Sequence, residues 1–302
     1  MMDRTLLVIM NPCAGQRHAS RALGAVIGIL QAGGYRCTVL LTEKPGDGKT
    51  LAYQYGGDYD SVVAIGGDGT LNEVVAGIRA GGFDTPIGYL PAGSTNDFAN
   101  SLGLSGNLET AAGDVACGTP HLLDMGDFNG RLFTYVASFG AFTRASYATP
   151  QSVKNALGHL AYILEGMKDL PNIRSTHMKF QLDGAETLEG DYIFGAISNS
   201  TSIGGLLKLD PSVVDMNDGL LELLLIRLPV DLVELAQILF ALNSRQYDSS
   251  NCIFFRSAHR IEVDADPAVS WTLDGERADG AAHIFVTNQH DAIRLILPKA
   301  RT

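Results

Sequence analysis

The chain has 302 residues, of which 46% are hydrophobic and 18% are charged. That composition supplies enough apolar material for about two folded domains and argues against a disordered chain. The formal net charge is -11, which argues against nucleic acid as a partner, because a phosphate backbone is bound by Lys and Arg side chains. None of the 4 cysteines forms a Cys-x-x-Cys pair, so we expect neither structural zinc nor disulfides and assign the chain to a reducing cytoplasm.

The first part of the sequence alternates strand-like and helix-like segments. In chain order these are a strand at 6–10, a helix around 23–30, strands at 38–41 and 61–65, a helix at 71–79, a strand at 86–90 and a helix near 96–102. Such βαβα alternation is typical of a mostly parallel sheet with helices on its faces. A ligand in that architecture binds beyond the carboxyl ends of the strands, where the glycine-rich turns of this sequence stand.

After about residue 124 the pattern changes to short alternating segments separated by turn signals such as Asp183-Gly184. The predicted strands lie at 177–182, 192–198, 220–226, 259–263, 269–273 and 283–286, and two helices lie at 152–168 and 231–243. That alternation is typical of a β-sandwich or barrel. We therefore predict an α/β domain with a parallel sheet at 1–125 and an all-β sandwich domain at 126–302, and leave open a return of the extreme C-terminus to the first domain.

The run Gly66-Gly67-Asp68-Gly69-Thr70 follows a predicted strand and precedes a predicted helix. Glycines there let backbone N–H groups approach a phosphate, and the helix start adds partial positive charge. Asp68 is the informative residue, because a carboxylate beside a polyphosphate is repulsive unless a cation lies between them. The run therefore indicates a phosphate site with Mg²⁺. An ordinary strand-to-helix turn, in which Asp or Thr caps the helix, is the alternative.

A second cluster, the segment 91–99 with the sequence PAGSTNDFA, also follows a predicted strand and opens a helix. Ser94, Thr95 and Asn96 offer hydroxyl and amide groups that suit phosphate oxygens, and Asp97 belongs to the same strand end. An ordinary helix cap explains the segment equally well when it is taken alone.

Gly48-Lys49-Thr50 looks like the end of a phosphate-binding P-loop. The motif requires a glycine five residues before Gly48, and Glu43 stands there. We therefore reject these residues as a Walker site.

Together these motifs resemble the bacterial soluble diacylglycerol kinase family, which includes the YegS-like lipid kinases. The resemblance rests on Gly66–Thr70 continued by Leu71-Asn72-Glu73-Val74, on segment 91–99, and on two flanking runs, Asn11-Pro12-Cys13-Ala14-Gly15 and Leu273-Asp274-Gly275-Glu276. It covers nearly the whole chain. NAD kinases carry close relatives of the glycine run, but Asn96-Asp97-Phe98 and the late Asp-Gly-Glu favour the lipid kinases.

The resemblance implies ATP and Mg²⁺ as cofactors and assigns roles to particular residues. Those that it implies for nucleotide binding are Asn11, Pro12, Cys13, Ala14, Gly15, Thr42, Gly66, Gly67, Asp68, Gly69, Thr70, Leu71, Asn72, Glu73, Ser94 and Asn96. Asp68, Asp97 and Asp124 would form an acidic network that holds the catalytic Mg²⁺ directly or through water. Asp274 and Glu276 would be catalytic as well, with Glu276 matching the family's general base. Asp274-Gly275 is also a favoured hairpin turn that needs no function to explain it.

The resemblance also implies a second, structural Mg²⁺ site. Its ligands would be Asp215, Asp218 and the carbonyl of Leu220, a mixture of carboxylate and backbone oxygens that hard cations accept. A plain turn is the competing interpretation of Asp218-Gly219.

The reaction that the resemblance implies is the transfer of phosphate from ATP to diacylglycerol, giving phosphatidic acid and ADP. Phosphatidylglycerol, ceramide-like lipids and polyprenols stay open as acceptors, because no short motif reports the lipid. Two different functions also stay open, namely an NAD kinase and a nucleotide-binding regulator without turnover. We expect a cytoplasmic protein with peripheral contact at the inner face of the membrane, and the resemblance implies a homodimer.

Overall fold

The computed structural model describes residues 4–140, 175–203, 207–209 and 214–299. The helix predicted at 152–168 lies outside these residues. The chain divides into two compact units, the first formed by the residues up to Asp124 together with those from His290 on, and the second by Met125–Gln289.

The first unit contains a parallel sheet with the strand order β2-β1-β3-β4. In chain order its elements are β1 (Arg4–Met10), α1 (Ala14–Ala32), β2 (Tyr35–Leu41), α2 (Asp47–Tyr55), β3 (Ser61–Gly66), α3 (Asp68–Ala80), β4 (Ile87–Pro91), α4 (Asp97–Ser101) and α5 (Leu108–Cys117). The last strand of the chain lies next to β4 in this sheet, because its residue Leu295 pairs in parallel with Ile87.

Burial explains why these strands read as continuous apolar runs. Every residue of β3 is buried, and so are the last five residues of β1. Helices cover both faces of such a sheet, so alternation of polar and apolar residues is lost. On α1, Ala19, Val26 and Leu30 recur at helical spacing and pack into this core.

The second unit is antiparallel and centres on β9, which pairs with β7, β8 and β12. Its strands are β6 (Arg131–Phe133), β7 (Val136–Gly140), β8 (Thr176–Leu182), β9 (Glu186–Ser198), β10 (Ser202–Ile203), β11 (Leu207–Lys208), β12 (Leu221–Arg227), β13 (Ile253–Ala258), β14 (Arg260–Asp264), β15 (Trp271–Leu273) and β16 (Glu276–Ala278). The unit boundaries fall within two longer strands, β5 (Thr119–Phe128) and β17 (His283–Leu297).

Aromatic side chains fill the core of the second unit. Trp271 is fully buried, with its ring centroid 4.9 Å from that of Phe139 and 5.1 Å from that of Phe128. Both ring pairs are tilted, an arrangement that aromatic rings prefer over face-to-face stacking. These contacts join β5, β7 and β15 around one centre.

The second unit also carries helix α6 (Leu232–Ser244). It begins at Asp231, whose side chain accepts hydrogen bonds from the backbone N–H groups of Val233 and Glu234, as an N-cap residue should. Within the ranges that the structure describes, neither α6 nor any other helix combines the length and the apolar character that crossing a bilayer requires.

The predicted fold class, a parallel α/β part and an antiparallel β part, is confirmed. Each predicted element within the described residues has its counterpart, with ends that differ by a few residues for most. The largest difference is β17, which runs through Leu297 where only 283–286 was predicted. Two helices, α2 and α5, and seven of the described strands, β5, β6, β7, β10, β11, β13 and β16, were not predicted.

Two glycines inside helices should respond in opposite ways to the same substitution. A Cβ on Gly77 of α3 would meet the Lys49 carbonyl oxygen and lie 2.6 Å from the Ala52 Cβ of α2, whereas a Cβ on Gly24 of α1 would meet no described atom within 4 Å. We expect Gly77→Ala to destabilise the protein by about 1–3 kcal/mol through overpacking. Gly24→Ala should stabilise it by about 0.5–1 kcal/mol, because alanine loses less backbone entropy. Urea unfolding of both variants checks the pair, and a stable Gly77→Ala protein would contradict the close packing of α2 on α3.

Candidate active site

Two glycine turns of the first unit lie side by side at the carboxyl edge of its sheet. Strands β3 and β4 are neighbours with Gly66 opposite Pro91, so the turns that follow them leave from the same edge. The Ala92 N–H donates to the Gly66 carbonyl at 2.7 Å. A Cβ on Gly93 would lie only 2.6 Å from the Gly67 Cα, so the two backbones touch and only glycine fits.

The carboxylate of Asp68 joins these two turns. Asp68 is the first residue of α3, and its Oδ2 accepts the Asp97 N–H at 3.0 Å while its Oδ1 accepts the Phe98 N–H at 3.4 Å. The Tyr89 hydroxyl donates to the same Oδ1 at 3.4 Å. Burial and then the charge of Asp68 raise the pKa of Tyr89, so the phenol keeps the proton that it donates. Asp97 itself is 1% exposed, so two acidic residues are buried next to each other here.

Asn96 stabilises the second turn. Its backbone is left-handed, with φ of 52°, a conformation that asparagine tolerates better than most residues. Its Oδ1 accepts the Gly93 N–H at 2.9 Å and its Nδ2 donates to the Gly93 carbonyl at 3.1 Å. Ser94, between these two residues, is exposed.

The first loop of the chain lies at the same edge. Met10 ends β1 and lies opposite Leu41 on one side and Ile65 on the other. The Asn11 N–H donates to the Ile65 carbonyl at 2.9 Å, and the Thr42 N–H donates to the Met10 carbonyl at 2.9 Å. The sequence-predicted nucleotide residues that lie on strand ends, namely Asn11–Gly15, Thr42, Gly66, Gly67, Ser94 and Asn96, are therefore brought to one edge of the sheet.

Glu73 of α3 has a structural contact that the sequence did not indicate. Its Oε1 accepts the Gly46 N–H at 2.7 Å and its Oε2 accepts the Gly48 N–H at 2.9 Å. A carboxylate therefore satisfies the N–H groups at the start of α2, which is where a P-loop would hold phosphate. This contact agrees with the rejection of Gly48-Lys49-Thr50 as a Walker site, and any effect of Glu73 on a nucleotide would pass through the loop that it holds.

Asp124 lies in a cluster of its own on β5 and β17. It is 0% exposed, and its Oδ1 accepts hydrogen bonds from His290 Nδ1 at 2.8 Å and from the Asp291 N–H at 2.9 Å. One ligand atom each of Asp124, His290 and Asp291 lies within 4.8 Å of the others. Sequence reasoning missed His290, because 166 residues separate it from Asp124 and no ligand spacing marks it.

In the second unit, Asp274 is a buried acid whose carboxylate is held by the start of β7 and the residues before it. It accepts the backbone N–H groups of Thr134, Tyr135 and Val136 at 2.6–3.0 Å and the Thr134 hydroxyl at 3.1 Å. Both Asp274 and Gly275 have positive φ, 50° and 83°, as a two-residue hairpin turn requires. These contacts fix the hairpin of β15 and β16 onto the strand β7.

Glu276 follows that turn and, unlike the buried Asp274, is exposed to solvent. Its side chain is 62% exposed, and its Oε2 forms an ion pair with Arg131 Nη2 at 2.8 Å. Arg131 also donates to the Arg277 carbonyl, which orients the guanidinium beside the carboxylate. Glu276 is therefore an accessible carboxylate on a hairpin that Asp274 holds in place.

The residues predicted for a structural cation site lie on a turn before β12. Asp215 accepts the Asn217 N–H and Asp218 accepts the Leu220 N–H, at 3.0 and 2.9 Å. The Leu220 carbonyl accepts the Asn288 side-chain N–H at 2.8 Å, which leaves its second lone pair for another partner.

Glu222, two residues further on, was not predicted as a site residue. It is 1% exposed, and among the described residues neither oxygen of its carboxylate has a hydrogen-bond partner. Burial, followed by the charges of Asp218 and Asp215, raises its pKa to about 8. The signal in the sequence was a lone acid in the apolar run Leu220–Leu225, at an alternating position of the strand.

Two groups of oxygen donors in the described residues suit Mg²⁺ chemically, because hard cations take carboxylate and carbonyl oxygens. One group is the carboxylates of Asp68 and Asp97. The other is the carboxylates of Asp215 and Asp218 with the backbone carbonyl of Leu220. The unsatisfied, buried carboxylate of Glu222 is the kind of group that a nearby cation would compensate.

Two family models together match most of the chain. The model described as the diacylglycerol kinase catalytic domain matches residues 5–128, and the model described as the YegS C-terminal NAD kinase beta sandwich-like domain matches residues 136–297. A diacylglycerol kinase of Bacillus subtilis is 30% identical over 296 residues, which covers 97% of this chain and 96% of that protein. The chain belongs to the diacylglycerol kinase family. It is thereby a member of a family of lipid kinases.

A second diacylglycerol kinase and two solved structures were also found to be similar. A diacylglycerol kinase of Staphylococcus aureus is 29% identical over 91% of this chain and 87% of its own length. A crystal structure of a diacylglycerol kinase from Bacillus anthracis superposes with a TM-score of 0.76 at 18% identity, covering all of both chains. An NAD kinase from Archaeoglobus fulgidus in complex with ATP superposes with a TM-score of 0.53 at 14% identity, over 98% of this chain and 93% of its own. At these identities, the two structures support the fold alone.

The raised pKa of Glu222 predicts how stability depends on pH. The folded protein keeps the Glu222 proton up to about pH 8, whereas the unfolded chain releases it near the ordinary value of 4.5. The free energy of unfolding should therefore fall as pH rises between these two values, since the unfolded state then binds fewer protons. A Glu222→Gln variant has no proton to lose at this position, so its stability should not fall in this way. With chelator present, the difference in Tm between the variant and the parent protein should therefore favour the variant more at pH 8 than at pH 5. Glu262→Gln, at a more exposed strand position, is the control, and equal pH dependence in all three proteins would contradict the burial of a free carboxyl.

Proposed function

We propose that the protein phosphorylates diacylglycerol with ATP and Mg²⁺, giving phosphatidic acid and ADP. Membership of the family supports a lipid kinase, and the names of the relatives support diacylglycerol as the acceptor. The single observation that carries the nucleotide half is the backbone contact of the Gly67 and Gly93 turns, which leaves no side chain between them, next to the buried pair Asp68 and Asp97.

The residues of the carboxyl edge would bind ATP in this proposal. Glycine turns that precede helices bring N–H groups close to phosphate oxygens, and Ser94 is exposed on one of the turns and can donate its hydroxyl. The other nucleotide residues in the proposal are Asn11–Gly15, Thr42, Gly69–Glu73 and Asn96. Glu73 supports the site indirectly, through its hold on Gly46 and Gly48.

Asp68, Asp97 and Asp124 would hold the catalytic Mg²⁺, directly or through water. When bound, the cation would neutralise charge on the phosphates and so favour transfer. The protein's part is to keep the acids in place: backbone N–H groups fix Asp68, and a ring nitrogen and a backbone N–H fix Asp124.

Glu276 would act as the general base. The lipid hydroxyl gives its proton to the Glu276 carboxylate while its oxygen attacks the γ-phosphorus, and the bond from that phosphorus to the β–γ bridging oxygen breaks to release ADP. An accessible carboxylate suits this task, because the acceptor must reach it. Asp274 is a positioning residue in this scheme, since its own oxygens are engaged by Thr134, Tyr135 and Val136.

Asp215, Asp218 and the Leu220 carbonyl would bind a second Mg²⁺ that stabilises the turn before β12. Their oxygens have the right chemistry, and a cation there would also compensate the charge of the buried Glu222 when that group ionises. We further propose that the enzyme meets its lipid through peripheral contact with the membrane and that it functions as a homodimer.

A panel of acceptors tests the reaction. We expect purified protein with labelled ATP and Mg²⁺ to transfer phosphate to diacylglycerol in mixed micelles, and to do so less well to phosphatidylglycerol, ceramide and a polyprenol. NAD without lipid or detergent is the soluble control. Transfer to NAD but to none of the lipids would sink the proposal, and so would nucleotide binding without transfer to any acceptor.

Glu276→Gln tests the base. The amide cannot take a proton, so we expect kcat to fall by about 10²–10⁴-fold, while ATP binding measured by calorimetry stays unchanged. Glu186→Gln is a matched control, because Glu186 is a partly exposed carboxylate of the same unit that pairs with Arg256 at 2.9 Å. A Glu276→Gln enzyme with the turnover of the control would refute the assignment of the base.

A further inference from the structure

His290 makes a contact that the proposed reaction does not yet use. Its ring is 51% exposed, but Nδ1 lies 2.8 Å from Oδ1 of Asp124, a residue with no exposure to solvent. A second donor, the Asp291 N–H, reaches the same oxygen at 2.9 Å. One oxygen of a buried acid is thus held by two donors from consecutive residues of β17.

The backbone of β17 departs from regular strand conformation at His290 and Asp291, the two residues whose donors reach Asp124. Asp291 has φ of 53°, a left-handed conformation that is rare inside a strand. The alternation of buried and exposed residues also breaks here, because His290 and Asp291 are both exposed while Ala292 and Ile293 are both buried. A left-handed residue inside a strand changes the direction of the backbone locally and so re-aims the side chains beside it. The irregular backbone puts the His290 ring and the Asp291 N–H on the same side, towards Asp124.

The two ring nitrogens of His290 have different neighbours. Nδ1 is the one within hydrogen-bond distance of the Asp124 carboxylate, which accepts when Nδ1 carries the hydrogen, and Nε2 lies 3.7 Å from Oδ2 of Asp291. Two donors on Oδ1 fix the rotation of the carboxylate, and thus the direction of its other oxygen. Donors of this kind orient acids that serve a metal in many proteins.

We propose that His290 is a positioning residue that aims the Asp124 carboxylate at the catalytic Mg²⁺. This inference rests on the proposed function, in which Asp124 holds that cation. His290 does not touch the cation in this scheme, and Asp291 contributes its backbone N–H and not its carboxylate. The competing interpretations are a purely structural hydrogen bond, and a cation site in which His290 and Asp291 are themselves ligands.

Three substitutions on β17 separate these interpretations. His290→Leu removes the donor, and His290→Asn restores an N–H close to the position of Nδ1. Asp291→Asn keeps the backbone N–H and tolerates the left-handed backbone but removes the charge. His283→Leu is the control on the same strand, because His283 forms an equivalent pair with Asp264 at 2.6 Å, in which both side chains are largely exposed.

The variants should be compared in two measurements on the full-length protein. One is the Mg²⁺ concentration that gives half-maximal lipid kinase activity. The other is the affinity for Mn²⁺, titrated by calorimetry in the presence of an ATP analogue that cannot be hydrolysed. The thermal midpoint of each variant reports whether it folds.

We expect His290→Leu to weaken Mn²⁺ binding and to raise the Mg²⁺ requirement by about 10–100-fold. His290→Asn, Asp291→Asn and His283→Leu should stay close to the parent protein. A His290→Leu protein with a lower thermal midpoint but unchanged Mn²⁺ affinity would overturn the inference in favour of a structural bond. Loss of Mn²⁺ binding in Asp291→Asn would overturn it in favour of a direct cation site. If the parent protein itself bound no Mn²⁺ with nucleotide and phosphorylated no lipid, the proposed function would fail, and this inference with it.

Discussion

The carboxylate of Asp68 is the contact on which the carboxyl edge of the first sheet depends. It belongs to the helix after β3, yet it accepts the first N–H groups of the helix after β4. Since Gly67 and Gly93 touch through their backbones, no side chain separates the two turns, and this one acid ties them together. The arrangement also keeps Asp97 buried beside Asp68, an unfavourable pairing of acids unless a cation or donors compensate it. The glycines and the two acids are therefore parts of one electrostatic unit.

The buried acids of this protein differ in how their charge is satisfied. Asp68 and Asp274 accept backbone N–H groups, and Asp124 accepts one backbone and one ring N–H. Such donors stabilise the charged form and give each carboxylate a fixed orientation. Glu222 differs, because no residue that the structure describes forms a hydrogen bond with either oxygen of its buried carboxyl group. Burial, followed by the charges of Asp218 and Asp215, raises its pKa to about 8, so the group is neutral below that pH unless a cation compensates its charge.

The sequence was sufficient for the elements whose signals are local. Buried strands, the helix after Gly66–Thr70 and the Asp-Gly turns all depend on neighbours within a few residues, and they lie where they were predicted. Helix α2 escaped prediction because its start, at Gly46 with φ of 90° and Gly48, reads as a turn, and the group that satisfies its N–H groups is Glu73 on another helix. Strand β17 was predicted too short because the polar run 287–291 interrupts the apolar pattern that marks a strand.

In the candidate site too, local sequence signals were readable and long-range contacts were not. Motifs pointed to Asp68 and Asp274, which stand in short recognisable runs, and the family resemblance pointed to Asp124. They did not identify the donors, because the partner of Asp124 is 166 residues away and that of Asp274 is 138 to 140 residues away. The donors decide how an acid is oriented: backbone N–H groups and the Thr134 hydroxyl hold the Asp274 carboxylate on its hairpin, whereas His290 and the Asp291 N–H both reach Oδ1 of Asp124. The chemical role of a buried acid thus depends on contacts that form only when the chain folds, and the contact of Asp124 with His290 is the one on which its role in the proposed reaction would depend.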